Sequence, residues 1–122
     1  MMFAFLITIK TKLTNNNNDM LPTHRRPTHP GNILLHEFLE PFALAPRDIA
    51  RQIGVSTRII TEIIRERGRV SPELALRLAQ YFRTTPDFWL NLQHNVDLWD
   101  TLQVNHASIR AITPFAPHSS PQ

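Results

Sequence analysis

Cysteine is absent from all 122 residues, which excludes disulfides and thiolate metal sites and suits a reducing compartment, here expected to be the cytoplasm. Glycine is nearly as scarce, at three residues, and no stretch has the glycine-rich spacing of a phosphate loop. No apolar run approaches the roughly 20 residues needed to cross a bilayer. The run MMFAFLITI is followed at once by Lys10. It has neither a basic segment before it nor a small-residue cleavage site after it, so neither a secretory signal nor a membrane partner is expected. Polar and apolar residues nowhere alternate at period two, which argues against strands. Catalytic patterns are missing too: there is no cysteine nucleophile and no hydroxyl at a recognisable spacing from a base. His36 and Glu37 invite a zinc reading, but Phe38, Leu39 and Glu40 follow, so the second histidine of a His-Glu-x-x-His pair is lacking. His24 and His29 sit on a proline-rich approach without fixed geometry. No enzyme activity, metal or cofactor is expected.

What the chain does have is arginine in one place. Arg47, Arg51, Arg58, Arg65, Arg67 and Arg69 share their segment with only three acids, Asp48, Glu62 and Glu66. The excess of three positive charges equals the formal net charge of the whole chain, +3. A solvated arginine face accounts for such a cluster on charge alone; an electrostatic footprint for phosphates accounts for its confinement to one segment.

Ten prolines punctuate the rest. Pro46, Pro72 and Pro86 stand where first helical residues belong, since a missing N–H is harmless there and a fixed φ helps. Ser71 and Thr85 precede two of them as caps, and Glu73 and Asp87 follow in the first turn, where carboxylates favour the helix dipole. Apolar spacing predicts a first helix over Gly31–Glu40 burying Ile33, Leu34 and Phe38, and a second over Arg47–Ile53 burying Ile49, Ala50 and Ile53. A third runs from a Ser56 cap to about Glu66 with Ile60 and Ile63 inward. A fourth, Pro72–Phe82, buries Leu74, Ala75, Leu78, Ala79 and Phe82. A fifth, Pro86–Leu102, carries Phe88, Leu92, Val96 and Trp99 along one stripe with Trp89 beside it. The expectation is an all-α, five-helix domain over residues 29–102. A flexible extension, 1–28, precedes it and includes the low-complexity run Asn15–Asn18, with Met20 as the expected functional start. A flexible tail, 103–122, follows, with Ile109, Ile112 and Phe115 docking it loosely.

The second and third helices are joined at Gly54, a residue suited to a tight left-handed turn, with Val55 plugging the joint. Two short helices with a glycine turn form a helix-turn-helix, whose second helix enters the DNA major groove. With Ile60 and Ile63 facing the core, Thr57, Arg58, Thr61 and Arg65 face away from it and are the candidate base readers. Arginine bridges guanine acceptors and threonine hydrogen-bonds or packs on thymine. Arg47, Arg51, Ser56, Arg67 and Arg69 are the candidate phosphate contacts. One such motif spans half an operator, so a homodimer on a palindromic site is expected. Trp89, Val96 and Trp99 are its candidate interface, unless the two tryptophans simply complete the core.

The stretches RPTHPGNILLHEFLEPF, DIARQIGVS, SPELALRLAQYF and TTPDFWLNLQ together resemble HigA-type antitoxins, a branch of the XRE (phage-repressor-like) helix-turn-helix family. The resemblance covers His29 to Trp99. It implies the lambda-repressor-like fold and a dimer that represses its own two-gene operon. It also implies a partner toxin of the HigB type, a RelE-like ribonuclease that cuts messenger RNA on ribosomes. Contact with that toxin is expected through the N-terminal arm and first helix or through helices four and five. By the same resemblance, Thr57, Arg58 and Thr61 fall on DNA-facing positions, and Gly54, Val55, Ile60 and Ile63 on scaffold positions. The chain departs from the family at Ala45, where a serine or threonine cap is common, and at Ile59, commonly polar or basic. The turn RERGRV departs too, placing its glycine at Gly68. A stand-alone XRE-family transcriptional regulator without a toxin partner is the alternative reading.

Overall fold

The computed structural model describes residues 25–117. The initial apolar run, the Asn15–Asn18 linker and the expected start at Met20 lie outside these residues. Five helices and no strand occur among the described residues. Helix α1 opens as Pro30–Ile33 and continues in wider π-helical turns over Leu34–Leu39; α2 is Pro46–Ile53, α3 Thr57–Ile64, α4 Pro72–Phe82 and α5 Pro86–Arg110.

Three helix starts follow the expected pattern. Hydroxyls of Ser56, Ser71 and Thr85 accept from the backbone N–H groups of Ile59, Leu74 and Phe88 at 3.4, 3.1 and 3.1 Å. Each satisfies a donor that has no partner within its helix. Helix α2 has no side-chain cap at Ala45, and Pro46 alone sets its first turn. Helix α1 begins one residue earlier than expected, and its cap is His29, a residue the sequence had placed on an unstructured approach. The ring Nδ1 of His29 accepts from the Gly31 N–H at 2.9 Å. Burial pushes the imidazole pKa down, which keeps the ring neutral and Nδ1 free to accept. The π turns widen α1 so that Leu34, Phe38 and Leu39 all face inward.

Phe38 is the centre of the core. Its ring lies 4.8 Å from Phe82 and 5.2 Å from Trp89, and Phe88 meets Trp89 edge-on at 5.0 Å. Trp89 is fully buried, with its indole N–H donating to Thr84 Oγ1 at 2.8 Å. Val96 is 2% exposed. The expected dimer surface is therefore corrected at two of its three positions: Trp89 and Val96 are used up inside the monomer, and only Trp99 is half-buried. A tryptophan of this size packed against three phenylalanines and satisfied at its N–H has no face left to offer.

Helix α5 also runs eight residues past the expected Leu102. Nothing between Gln103 and Arg110 breaks a helix, and the first later breaker is Pro114. The backbone bends at Asn105 (φ −109°, ψ 18°), where the side-chain amide donates to the Thr101 carbonyl at 3.1 Å. Residues 103–117 are exposed throughout. The part expected as a flexible tail thus begins as an unsupported helix.

Helix α1 is pressed against the far end of α3. A Cβ added at Gly31 would overlap the backbone carbonyl of Ile63, a contact that no side-chain rotation relieves. Gly31→Ala must therefore separate the two helices, with an overpacking cost of about 1–3 kcal/mol. In a domain of this size thermal melting should fall by roughly 5 °C or more. An unchanged melting temperature would contradict this packing.

Candidate nucleic-acid interface

Residues of an α-helix advance by about 100° each, so two buried positions set the direction of all the others. On α3 these are Ile60 and Ile63, at 0% and 1% exposure. Arg58 and Arg65 then lie opposite the core. Thr57 and Thr61 form one flank, and Ile59 and Glu62 the other. Ser56, Thr57, Arg58 and Arg65 are exposed and Thr61 is half-buried. Ile64 and Val55 lean onto the core from the edges of the helix and its leading turn.

The turn that aims α3 is built at Gly54, which takes the left-handed conformation (φ 79°, ψ 34°) and donates its N–H to the Ala50 carbonyl at 2.9 Å. The adjacent Ile53 carbonyl accepts from Arg77 Nη1 of α4 at 2.7 Å. Glu73 holds that guanidinium from the other side, at 2.8 and 3.1 Å. A side chain at Gly54 would be strained in φ and would also approach Arg77 Nη1 to 2.9 Å. The end of α2 is thus clipped to α4, and α3 leaves it in a fixed direction.

At the other end of α3 the left-handed residue is Glu66 (φ 62°), two residues before Gly68. The N–H groups of Arg67 and Gly68 both donate to the Glu62 carbonyl, at 2.8 and 2.9 Å, closing the last turn. From here a chain of polar contacts crosses to α5. The Val70 N–H donates to Gln93 Oε1 at 2.8 Å, Gln93 Nε2 to Asp97 at 3.0 Å, and both Nη groups of Arg69 to Asp97 at 2.7 Å. Arg69 lowers the Asp97 pKa, chiefly through these two hydrogen bonds.

This pairing sets Arg69 apart from the other candidate phosphate contacts. Arg69 is engaged end-on by a carboxylate and serves to hold the loop, so it is not a free cation. Arg67 is only loosely associated, with its Nε 3.8 Å from Glu62. Arg47, Arg51, Arg58 and Arg65 are exposed and have no acidic partner among the described residues. These four, on α2 and α3, are the unneutralised cations of the motif.

Several structural residues escaped sequence reasoning. Arg26, ahead of α1, donates to both oxygens of Asp100 on α5 at 2.8 and 2.9 Å, and to Glu66 at 3.3 Å. Partners 74 residues apart leave no local signal. Arg77 could have been found by its i,i+4 spacing from Glu73, but its bond to the Ile53 carbonyl could not.

The outward face of α3 presents guanidinium donors and hydroxyls, and the one carboxylate at its edge, Glu62, lies 3.8 Å from Arg67 Nε. The chemistry of this face is to bind anions and hydrogen-bond acceptors. Among the described residues, no group of three or more histidine, aspartate or glutamate side chains is arranged to hold a metal ion, and no helix is long and apolar enough to cross a membrane.

The family model described as helix-turn-helix matches residues 35–89. Antitoxin HigA-1 of Vibrio cholerae is 42% identical over 96 residues, covering 79% of this chain and 90% of that protein. An uncharacterised helix-turn-helix-type transcriptional regulator of Haemophilus influenzae is 46% identical over 76 residues, covering 62% of this chain and 71% of that protein. Among solved structures, the Pseudomonas aeruginosa antitoxin HigA with the higBA promoter superposes with a TM-score of 0.71 at 39% identity, over 75% of this chain and 100% of that one. Antitoxin GraA in complex with its operator gives a TM-score of 0.71 at 40% identity, over 80% of this chain and 99% of that one.

Proposed function

Because the chain belongs to the helix-turn-helix family, in its branch of HigA-type antitoxins, we propose that it is an autorepressor that binds the operator of its own gene pair and neutralises a HigB-type toxin. The observation that carries the DNA half is the exposed face of α3: unpaired Arg58 and Arg65 beside Thr57 and Thr61, directed outward by buried Ile60 and Ile63. Arg58, in the first turn, engages a guanine edge, and Thr57 and Thr61 complete the reading. Arg47 and Arg51 on α2, with Ser56 and Arg67 at the ends of α3, contact phosphates and fix the register. Solved relatives bound to a promoter and to an operator support this assignment.

A homodimer follows from the size of one motif, and its surface is the outer stripe of α5. Leu98 is 55% exposed, Ile109 43% and Ile112 68%, with half-buried Leu102 between them. Leu98 and Leu102, four residues apart, share one face of α5 before the bend at Asn105, and Ile109 and Ile112 continue the exposed apolar run beyond it, Ile112 just past the helix end. The exposed end of α5 is too short to be stable as an isolated helix, and a second copy of the same seam supplies the missing apolar contact. Trp99, whose buried indole N–H has no hydrogen-bond partner among the described residues, adjoins this stripe.

The toxin half rests on the antitoxin relatives. A second reading, a transcriptional regulator without a toxin, is kept by the Haemophilus relative, whose name gives regulation alone.

Four outcomes are expected. In a band-shift assay the chain binds its promoter fragment with strong salt dependence. Arg58→Ala weakens that complex by about 1–3 kcal/mol while leaving random-sequence binding nearly intact; equal loss on both duplexes would contradict base reading. Leu98→Glu combined with Ile109→Glu yields a folded monomer in sedimentation equilibrium, and a persistent dimer would refute the α5 seam. Co-expression with the adjacent small RelE-like reading frame yields a co-purifying complex and relieves growth arrest. Failure of both selects the stand-alone regulator.

A further inference from the structure

One side chain on α3 differs in chemistry from its neighbours. Ile59 is 44% exposed, and it is not among the apolar residues packed against the core, whereas Val55 and Ile64 are. Scattered exposed hydrophobics are ordinary on any protein, so exposure alone assigns nothing. Position does. Ile59 directly follows Arg58, and its N–H is the one capped by Ser56, which puts it in the first helical turn. That turn is the part of a recognition helix that reaches base edges. A β-branched residue there gains nothing in helix propensity over a polar straight-chain one.

On the reading of α3 as the DNA-recognition helix, we infer that Ile59 is a specificity residue that packs on the C5-methyl group of a thymine. That methyl is the apolar feature by which the major groove marks one base among four. Ile59 has neither donor nor acceptor, so hydrogen-bonding edges give it nothing to select. Cytosine at the same place would lack the methyl and turn its N4 amino group toward an apolar surface, at a desolvation cost. Ile59 lies about 100° round the helix from Arg58, so the two neighbouring side chains read different bases of one half-site by different forces. The two flanks of α3 differ: hydroxyls at Thr57 and Thr61 on one side, an apolar contact at Ile59 on the other, where Glu62 stands one turn further on beside Arg67.

The test removes the methyl and nothing else. A duplex selected by the wild-type chain from a random pool is resynthesised with each thymine in turn replaced by deoxyuridine, which keeps every hydrogen-bonding group. Each such replacement at the Ile59 position should weaken wild-type binding about fourfold, as expected for one buried methyl. Ile59→Ala should bind the unmodified duplex about fourfold more weakly per half-site and be indifferent to that same uracil. Ile59→Val should fall between the two. A selected sequence whose uracil scan is flat for the wild type overturns the inference while leaving DNA recognition standing. So does a uracil-sensitive position that stays equally sensitive in Ile59→Ala. If the wild type selects no sequence at all, the recognition role of α3 fails and the inference falls with it. Should Ile59→Ala lose its fold, the wild-type scan and Ile59→Val still decide.

Discussion

Ile60 and Ile63 are almost wholly withdrawn from water, and a helix of eight residues pinned at two positions three apart has no rotation left about its axis. Each buried isoleucine contributes about 1.5–3 kcal/mol from apolar burial, so rolling α3 to expose them would cost a sizeable share of a small domain's stability. The direction of the exposed face of α3 follows from this. Arg58 and Arg65 point outward because the isoleucines point inward. The residue that locates α3 along its length is Gly31, whose missing side chain lets α1 close on the Ile63 carbonyl.

Around this anchored helix, polar contacts do directional rather than energetic work. Arg77 clips the end of α2, Asp97 and Gln93 hold the loop after α3, and Arg26 ties the segment before α1 to α5. Exposed ion pairs of this kind are individually worth little. Their effect is to sort the arginines. Those after α3 are drawn toward carboxylates, while Arg47, Arg51, Arg58 and Arg65 are left unneutralised for an anionic partner. The cluster that composition shows as one block is thus two populations with different duties.

Much of this was legible in the sequence because the signals were local. Serine or threonine before proline announced α4 and α5, the i and i+3 isoleucines gave the facing of α3, and Gly54 marked the turn. The reading went wrong where distance or context decides. His29 caps α1 through a buried ring nitrogen, which no spacing rule anticipates. Trp89 and Val96 were assigned to a dimer surface because the core's capacity cannot be judged from a stripe; the phenylalanines of α1, α4 and α5 close around the tryptophan instead. Arg69 carries the same charge as its neighbours, and only the approach of Asp97 from α5 sets it apart from the unpaired arginines. Helix α5 runs past its expected end because the segment lacks a breaker, and whether its apolar residues face a core or solvent depends on packing that no local spacing encodes.

The central claim is that the outward face of α3, with the first half of α2, is where duplex DNA sits. Amide chemical-shift mapping of the isotope-labelled chain during titration with its promoter duplex tests this most directly. The account predicts the largest changes at residues 47–51 and 56–65, with α4 little affected. Changes concentrated on α4 or on the exposed end of α5, with residues 56–65 unmoved, would contradict it.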